Sequence, residues 1–281
     1  MKFLIIKQYI HHKNKIGIIF MLNKLKISYK IGTPKDIPDY DVIYFPSSEF
    51  NTSNYKNKKF IFGPHFSVFP IANQLKQIKN IHNNSFYITP SIWVKHIWIN
   101  PYIPIKVLPF AIDCDKFKPD EIKKRDKVFI YFKNRHREDL NFIKSYLNEK
   151  KIDYFIFVYS KYNENDYLQY LKESKYGIVI AGHESQGFAI EEALSCNVPL
   201  LVWRVNSMKQ ENGKNKYNDI YATTIPYWDK RCGEFFTKKS DFEKTYNTFM
   251  SNLDIYKPRE YVLENLNDEA CSKLLYNLIT E

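Results

Sequence analysis

The sequence predicts an α/β protein of two doubly wound, Rossmann-like domains facing a cleft. Short apolar runs alternate with longer amphipathic ones, the order expected where parallel strands are joined by helical crossovers. That series runs twice, once on each side of the charged stretch "CDKFKPDEIKKRDK" at 114–127. A chain of 281 residues is also long enough for two cores, and its 44% hydrophobic and 26% charged residues are those of a folded protein.

In order, "KFLII" opens as a strand and "KIGIIFMLNKLKIS" follows with helical spacing. "DVIYF" at 41–45 is a strand ended by Pro46, Ser47 and Ser48, and "KKFIFGPHF" is a strand stopped by Gly63 and Pro64. "SFYITPS" and "IKVLPF" read as two more short strands near residues 85 and 105. The second series begins with "KVFIYF" at 127–132 as a strand, "REDLNFIKSYLNEK" as a helix and "DYFIFVYS" at 153–160 as a strand. "ENDYLQYLKES" is then a helix, "YGIVIAG" a strand, "FAIEEALS" a helix and "VPLLVW" a strand. "TYNTFMSNL" and "DEACSKLLYNLI" read as closing helices, the second able to pack on either domain. The expected organisation is an N-terminal domain over 1–115, a second domain over 116–260 and a closing helix over 261–281. Ligands are expected at the C-terminal ends of the parallel strands.

The net charge of +11 and pI near 9.2 point to an anionic partner: a nucleotide-sugar, a nucleic acid or an acidic membrane surface. A solvated lysine surface explains the same composition equally well. Residues 1–60 hold eleven Lys against four acidic residues, but scattered among apolar ones, which weakens the nucleic-acid reading. Cys114, Cys196, Cys232 and Cys271 lie far apart without Cys-x-x-Cys spacing, so they read as thiols in a reducing compartment. The apolar start is interrupted by Lys7, which is unlike a signal peptide, and "IGIIFML" is too short to span a bilayer. The reading is cytoplasmic, with peripheral membrane contact through the basic N-terminal domain left open.

Chemistry concentrates in "HESQGFAIEEALSCNVPLLVW", residues 183–203. On a helix over 187–195, at about 100° per residue, Ile190, Ala193 and Leu194 share the core face while Glu192 points away from it. Glu184 lies in the loop before the helix. Backbone amides around Gln186, Gly187 and Phe188 at a helix start favour an anion, with a carboxylate on each side to accept hydrogen bonds from hydroxyls. A nucleotide-sugar offers that sequence of groups: ribose hydroxyls, diphosphate, sugar hydroxyls. An acidic residue at a helix N-terminus with a solvated face is the plainer reading.

"ESQGFAIEEALSCNVPLLV" resembles the Glu-seven-residues-Glu signature of the retaining GT-B glycosyltransferases of the family-4 type. "YITPSIWVKHIW", "IKVLPFAIDCDKFKP" and "VFIYFKNRHR" resemble further segments of that family, in the right order. The chain departs from the pattern at Asn197, where glycine is usual, and at Phe110-Ala111, where Asn-Gly is usual. The family's separated Arg and Lys are compressed into Lys133, Arg135 and Arg137, and the first domain is short. The resemblance implies that Glu192 holds the ribose and Glu184 the donor-sugar hydroxyls. It implies that the amides of Gly187 and Phe188, with Lys133, Arg135 or Arg137, neutralise the departing diphosphate. The donor phosphate itself would take the acceptor proton.

Tyr159 and Ser160, ending a strand, are candidates to edge the nucleotide base. On the acceptor side the candidates are His11, His12 and Ser47, each after a strand, with His65 after "FIFGP" as the histidine nearest the donor sugar. "DCD" at 113–115 mimics a metal motif, but no His or Asn joins it at ligand spacing, so Asp113 reads as a turn residue and no metal is expected. The leading function is metal-independent, retaining transfer of a sugar from a UDP- or GDP-linked donor to a hydroxyl of a glycan, glycoprotein or glycolipid, with no other cofactor. The alternatives are an inactive nucleotide-sugar-binding protein of the same fold and a basic nucleic-acid-binding protein.

Overall fold

A computed structural model describes residues 1–64, 84–98, 103–120, 122–213 and 220–281. Two compact units divide the chain: Met1–Ala111 together with Leu266–Glu281, and Ile112–Asn265. The expected junction after residue 115 thus falls at Ala111, and the closing helix returns to the first unit.

In the first unit, β1 (Lys2–Ile6), β2 (Ser28–Gly32), β3 (Val42–Phe45), β4 (Lys59–Phe62), β5 (Ser85–Thr89) and β6 (Ile105–Val107) form one sheet of order β2-β1-β3-β4-β5-β6. Every pairing is parallel, with Ile5 opposite Ile31 and Tyr44 opposite Ile61. β3 and β5 are buried along their whole length, as strands covered on both faces must be. Helix α1 (His12–Lys24) packs against the last helix, and the short α2 (Ile92–His96) against β5 and β6. Gly17 lets α1 meet the end of the domain: a Cβ there would stand 2.7 Å from Phe110 Cβ and 2.8 Å from Ala111 N. Phe110, which replaces an expected Asn, is fully buried at that contact.

The second unit contains β7 (Lys127–Lys133), β8 (Phe155–Val158), β9 (Ser174–Ala181), β10 (Leu200–Trp203) and β11 (Gly233–Phe236) in the order β11-β10-β9-β7-β8, again all parallel. Its helices are α3 (Arg137–Glu149), α4 (Glu164–Glu173), α5 (Phe188–Ser195), α6 (Phe242–Ser251) and α7 (Pro258–Asn265); α8 (Asp268–Thr280) belongs to the first unit. The alternation along β7 divides the core. Val128 and Ile130 pack with Ile143 and Leu147 of α3 and Phe242 and Phe249 of α6. Phe129 faces the other way, onto Tyr167 of α4, with ring centroids 6.0 Å apart and near-perpendicular.

Two strands depart from the sequence reading. β2 is absent from the sequence reading: it starts at Ser28, the last residue of the run given to the first helix, after Lys26 turns with φ +55°, and as an edge strand it buries only Gly32. β11 is likewise an edge strand, hidden in the aromatic "CGEFF". Asn197 makes the turn before Val198 with φ +56°, a left-handed conformation asparagine tolerates, and its Oδ1 accepts the Arg259 backbone N–H at 3.3 Å. Arg259 also closes the end of α5, its guanidinium donating to Ser195 O at 2.7 Å, Phe117 O at 3.0 Å and Cys114 O at 3.1 Å. Asp113 Oδ1 accepts the Lys116 N–H at 2.9 Å, the turn-shaping role expected for it. No disulfide joins the four cysteines.

Candidate functional site

In the second sheet β8 lies on one side of β7, whereas β9 and its successors lie on the other. The C-terminal ends of β7 and β9 therefore flank the point where strand order reverses, the place such sheets offer to ligands. Lys133 ends β7 opposite Ala181 of β9, and the Gly182 N–H donates to Lys133 O at 2.8 Å. The next two residues carry the chain to Glu184, whose N–H donates to Thr223 O at 3.0 Å.

Glu184 is only 7% exposed, and its Oε2 accepts from Lys133 Nζ at 2.7 Å. The same ammonium lies 4.4 Å from the Tyr159 ring centroid. A cation and a carboxylate this far from water are costly to hold unless they serve each other or a ligand. Gly187, with φ +101°, then turns the chain into α5, which no side chain caps. A residue with a Cβ would be strained at that angle.

Glu192 sits within α5 but not on a solvent face: it is 4% exposed. The expectation that it points away from the core fails because the second side of α5 is covered too. Tyr167 of α4 donates its hydroxyl to Ala189 O at 2.8 Å, bringing that ring over the helix. Burial first, then the Glu192 and Glu184 carboxylates, push the Tyr162 phenol upward, so this ring lies within electrostatic reach of both acids. Tyr162 packs edge-on against Tyr131, with ring centroids 6.3 Å apart, and the Tyr131 phenol is raised by burial and next by Glu184. The helix also buries Glu191, which accepts from Gln186 Nε2 at 3.0 Å and leaves its Oε1 without a hydrogen-bond partner. Burial holds the Glu191 carboxyl well above its ordinary range.

The three basic candidates separate. Lys133 faces Glu184, whereas Arg135 is 4% exposed and tied into packing. Its guanidinium donates to Asp139 Oδ2 at 2.7 and 3.0 Å and to Trp203 O at 3.3 Å, and lies 5.1 Å from the Trp203 ring centroid. Arg137 is exposed at the start of α3. Tyr159 and Ser160 follow β8; Tyr159 is 46% exposed, and Ser160 turns with φ +60° while its hydroxyl donates to Tyr159 O. Phe188 is half-buried as the first residue of α5.

In the first unit, His11 and His12 are exposed where α1 begins, their rings 4.7 Å apart. Ser47 follows the adjacent β3, and its N–H donates to Gln8 Oε1 at 3.4 Å, so the candidates after β1 and β3 share one sheet edge. His65 lies outside the described residues. Tyr131, Tyr162, Glu191 and the side chain of Gln186, of which only the backbone amide was singled out, escaped the sequence reading. Glu191 follows the core-facing Ile190 and precedes Glu192, Tyr131 lies on an apolar strand where an aromatic reads as core, and Tyr162 lies in the polar loop "SKYNEN" without a motif to mark it. Among the described residues no group of three or more His, Cys, Asp or Glu is placed to hold a metal ion, and no helix is long and apolar enough to cross a membrane.

No protein-family model and no curated protein sequence matches this chain. Solved structures do. The chain is similar over its whole length to the lipopolysaccharide outer core galactosyltransferase WaaB, at 14% identity and a TM-score of 0.56, covering 99% of that protein. It is similar to AviGT4, a glycosyltransferase of avilamycin A biosynthesis, at 10% identity and a TM-score of 0.57, with 100% of this chain and 97% of that one covered. Against S. aureus TarM, solved with fondaparinux, alpha-GlcNAc-glycerol and UDP, identity is 15% and the TM-score 0.56, over 94% of this chain and 58% of TarM. The fold is GT-B, two Rossmann-like α/β domains.

Proposed function

We propose that the chain is a glycosyltransferase that moves a sugar from a UDP- or GDP-linked donor to a hydroxyl of a glycan, glycoprotein or glycolipid. The anomeric configuration is retained, and side chains and backbone amides, rather than a metal, neutralise the leaving group. The observation that carries this reading is the Lys133–Glu184 ion pair at 2.7 Å, placed where the strand order reverses and directly before the glycine-started helix that holds Glu192.

In this reaction the bond from the anomeric carbon to the diphosphate oxygen breaks and a bond to the acceptor oxygen forms on the same face. The acceptor proton passes to the departing diphosphate. Negative charge grows on that diphosphate, so a cation and the amides of a helix start stabilise the transition state more than the ground state. Lys133 and the first turn of α5 supply both. Glu184 receives sugar hydroxyls and Glu192 the ribose. TarM, which shares the fold, was solved with UDP, which makes UDP-sugars the first donors to try.

The test is nucleotide release across a panel of UDP- and GDP-sugars by the wild type, Glu192→Ala and Lys133→Ala. Release by the wild type and its loss in both variants is expected. Turnover that survives both substitutions removes the assigned site.

A further inference from the structure

Glu211 has no place in the scheme above, yet it is fully buried and bound to the loop that matters most. Its Oε1 accepts the His183 backbone N–H at 2.9 Å and stands 2.8 Å from His183 Nδ1, while Oε2 stands 2.9 Å from the same ring nitrogen. Both carboxylate oxygens lie within hydrogen-bond distance of the one ring nitrogen, which fixes the orientation of the imidazole. The approach is close enough to dictate the neighbouring residue: a Cβ on Gly182 would lie 2.8 Å from the Glu211 carboxyl carbon.

The segment bearing Glu211 is itself built to hold still. The turn Met208–Gln210 carries a reciprocal cap between Ser207 and Gln210, and the Glu211 N–H closes it onto Met208 O at 3.1 Å. One residue later, the Asn212 N–H donates to Asn134 O at 3.1 Å. This strap therefore grips two loops at once: the one following Lys133 through Asn134, and the one preceding Glu184 through His183. Those are the two partners of the ion pair.

We propose that Glu211 is a positioning residue, which fixes His183 by its backbone and ring and thereby sets Glu184 against Lys133 in the geometry the transfer reaction needs. The proposal rests on the sugar-transfer reading for its kinetic consequence, but its structural consequence stands alone. A residue of this kind leaves binding of the nucleotide largely intact and acts on turnover, because misplacing a reacting group by about 1 Å can cost on the order of 10²-fold in rate.

Three measurements on Glu211→Ala and Glu211→Gln decide it: kcat for the donor, the Kd for UDP or GDP alone, and a crystal structure showing Glu184 and Lys133. Glu211→Ala is expected to lose about 10²-fold in kcat, with nucleotide Kd changed by less than about threefold and the Glu184–Lys133 pair pulled apart. Glu211→Gln keeps an oxygen for the His183 backbone N–H and a polar group beside the ring nitrogen, and should recover kcat to within about tenfold of wild type. A Glu211→Ala protein with unaltered kcat, or one whose ion pair stays in place, overturns the proposal. Where Glu211→Ala does not fold, His183→Ala takes over: about tenfold lower kcat with intact nucleotide binding supports the role, and undiminished kcat ends it. If the wild type turns over no donor, the transferase reading falls, and the crystal structure still decides whether Glu211 positions Glu184.

Discussion

Both units are parallel sheets wrapped in helices, yet they differ sharply in what they bury. Among the described residues of the first unit the buried polar side chains are uncharged: Thr52, Ser85, Thr89, Ser91 and Ser272. The second unit buries Arg135, Glu184, Glu191, Glu192 and Glu211. Burial favours the neutral form of Glu191, but burying ionisable groups opposes folding, so a chain that buries four more in one unit gains something other than stability there. The first unit instead keeps its candidate polar groups, His11 and His12 among them, exposed at a strand edge. The contrast is what the proposed reading expects, with the anionic donor on the second unit and the acceptor on the first.

The hardest blow to this comparison would be a silent Glu184→Gln. Removing a single preorganised polar contact at a reacting centre lowers turnover by about 10²–10³-fold, and that is the effect expected on kcat in the nucleotide-release assay. Near-normal turnover would place the chemistry elsewhere. Arg135 sharpens the contrast from the opposite direction. Its bonds to Asp139 and Trp203 are packing bonds, so Arg135→Ala should cost about 1.5–3 kcal/mol in denaturant unfolding while kcat per folded molecule stays within about threefold. A large kcat loss without a stability loss would move Arg135 into the donor site.

Much of this was legible from residue order alone. The alternation of apolar and amphipathic runs gave nine of the eleven described strands their places, because central parallel strands such as β3 and β10 are apolar along their length. β2, an edge strand with three exposed residues of five, lacks that signal, which is why it went unread. Glu184 and Glu192 stood out by their spacing around Gly187. Spacing says nothing about which side chain faces which, so the choice of Lys133 over Arg135 needed the 2.7 Å contact to Glu184. Glu211, 28 residues from His183, was invisible for the same reason.

Glu191 offers a smaller effect with a defined sign. Burial raises its folded pKa above the ordinary value of 4.5, so the folded chain holds a proton that the unfolded chain releases. Stability is then fullest below 4.5 and falls as pH rises toward the folded pKa, by about 1.4 kcal/mol per pH unit within that window. Glu191→Gln removes the proton equilibrium and keeps an acceptor for Gln186. Its melting temperature should match the wild type below pH 4.5 and exceed it at pH 7, the gap opening as pH rises from the one to the other. A difference that does not change between those pH values would mean that Glu191 is not held as a neutral acid.

The smallest expected change is at Asn197, and it tests whether the departure from the glycine of the resembled family is a real difference in structure. The backbone there lies at φ +56°, inside the region glycine enters without strain. The side chain contributes one long hydrogen bond, 3.3 Å from the Arg259 N–H, and a bond of that kind contributes about 0.5–1.5 kcal/mol at most. Relief of the left-handed strain offsets part of that loss, since an L-residue there costs about 1–2 kcal/mol. Asn197→Gly should therefore unfold within about 1 kcal/mol of the wild type, whereas Asn197→Val, whose branched Cβ cannot relax at this angle and which lacks the acceptor, should lose clearly more. Equal stability of the two variants would show that the turn does not need its left-handed residue, and that Arg259, through its bonds to Ser195, Phe117 and Cys114, fixes the end of α5 by itself.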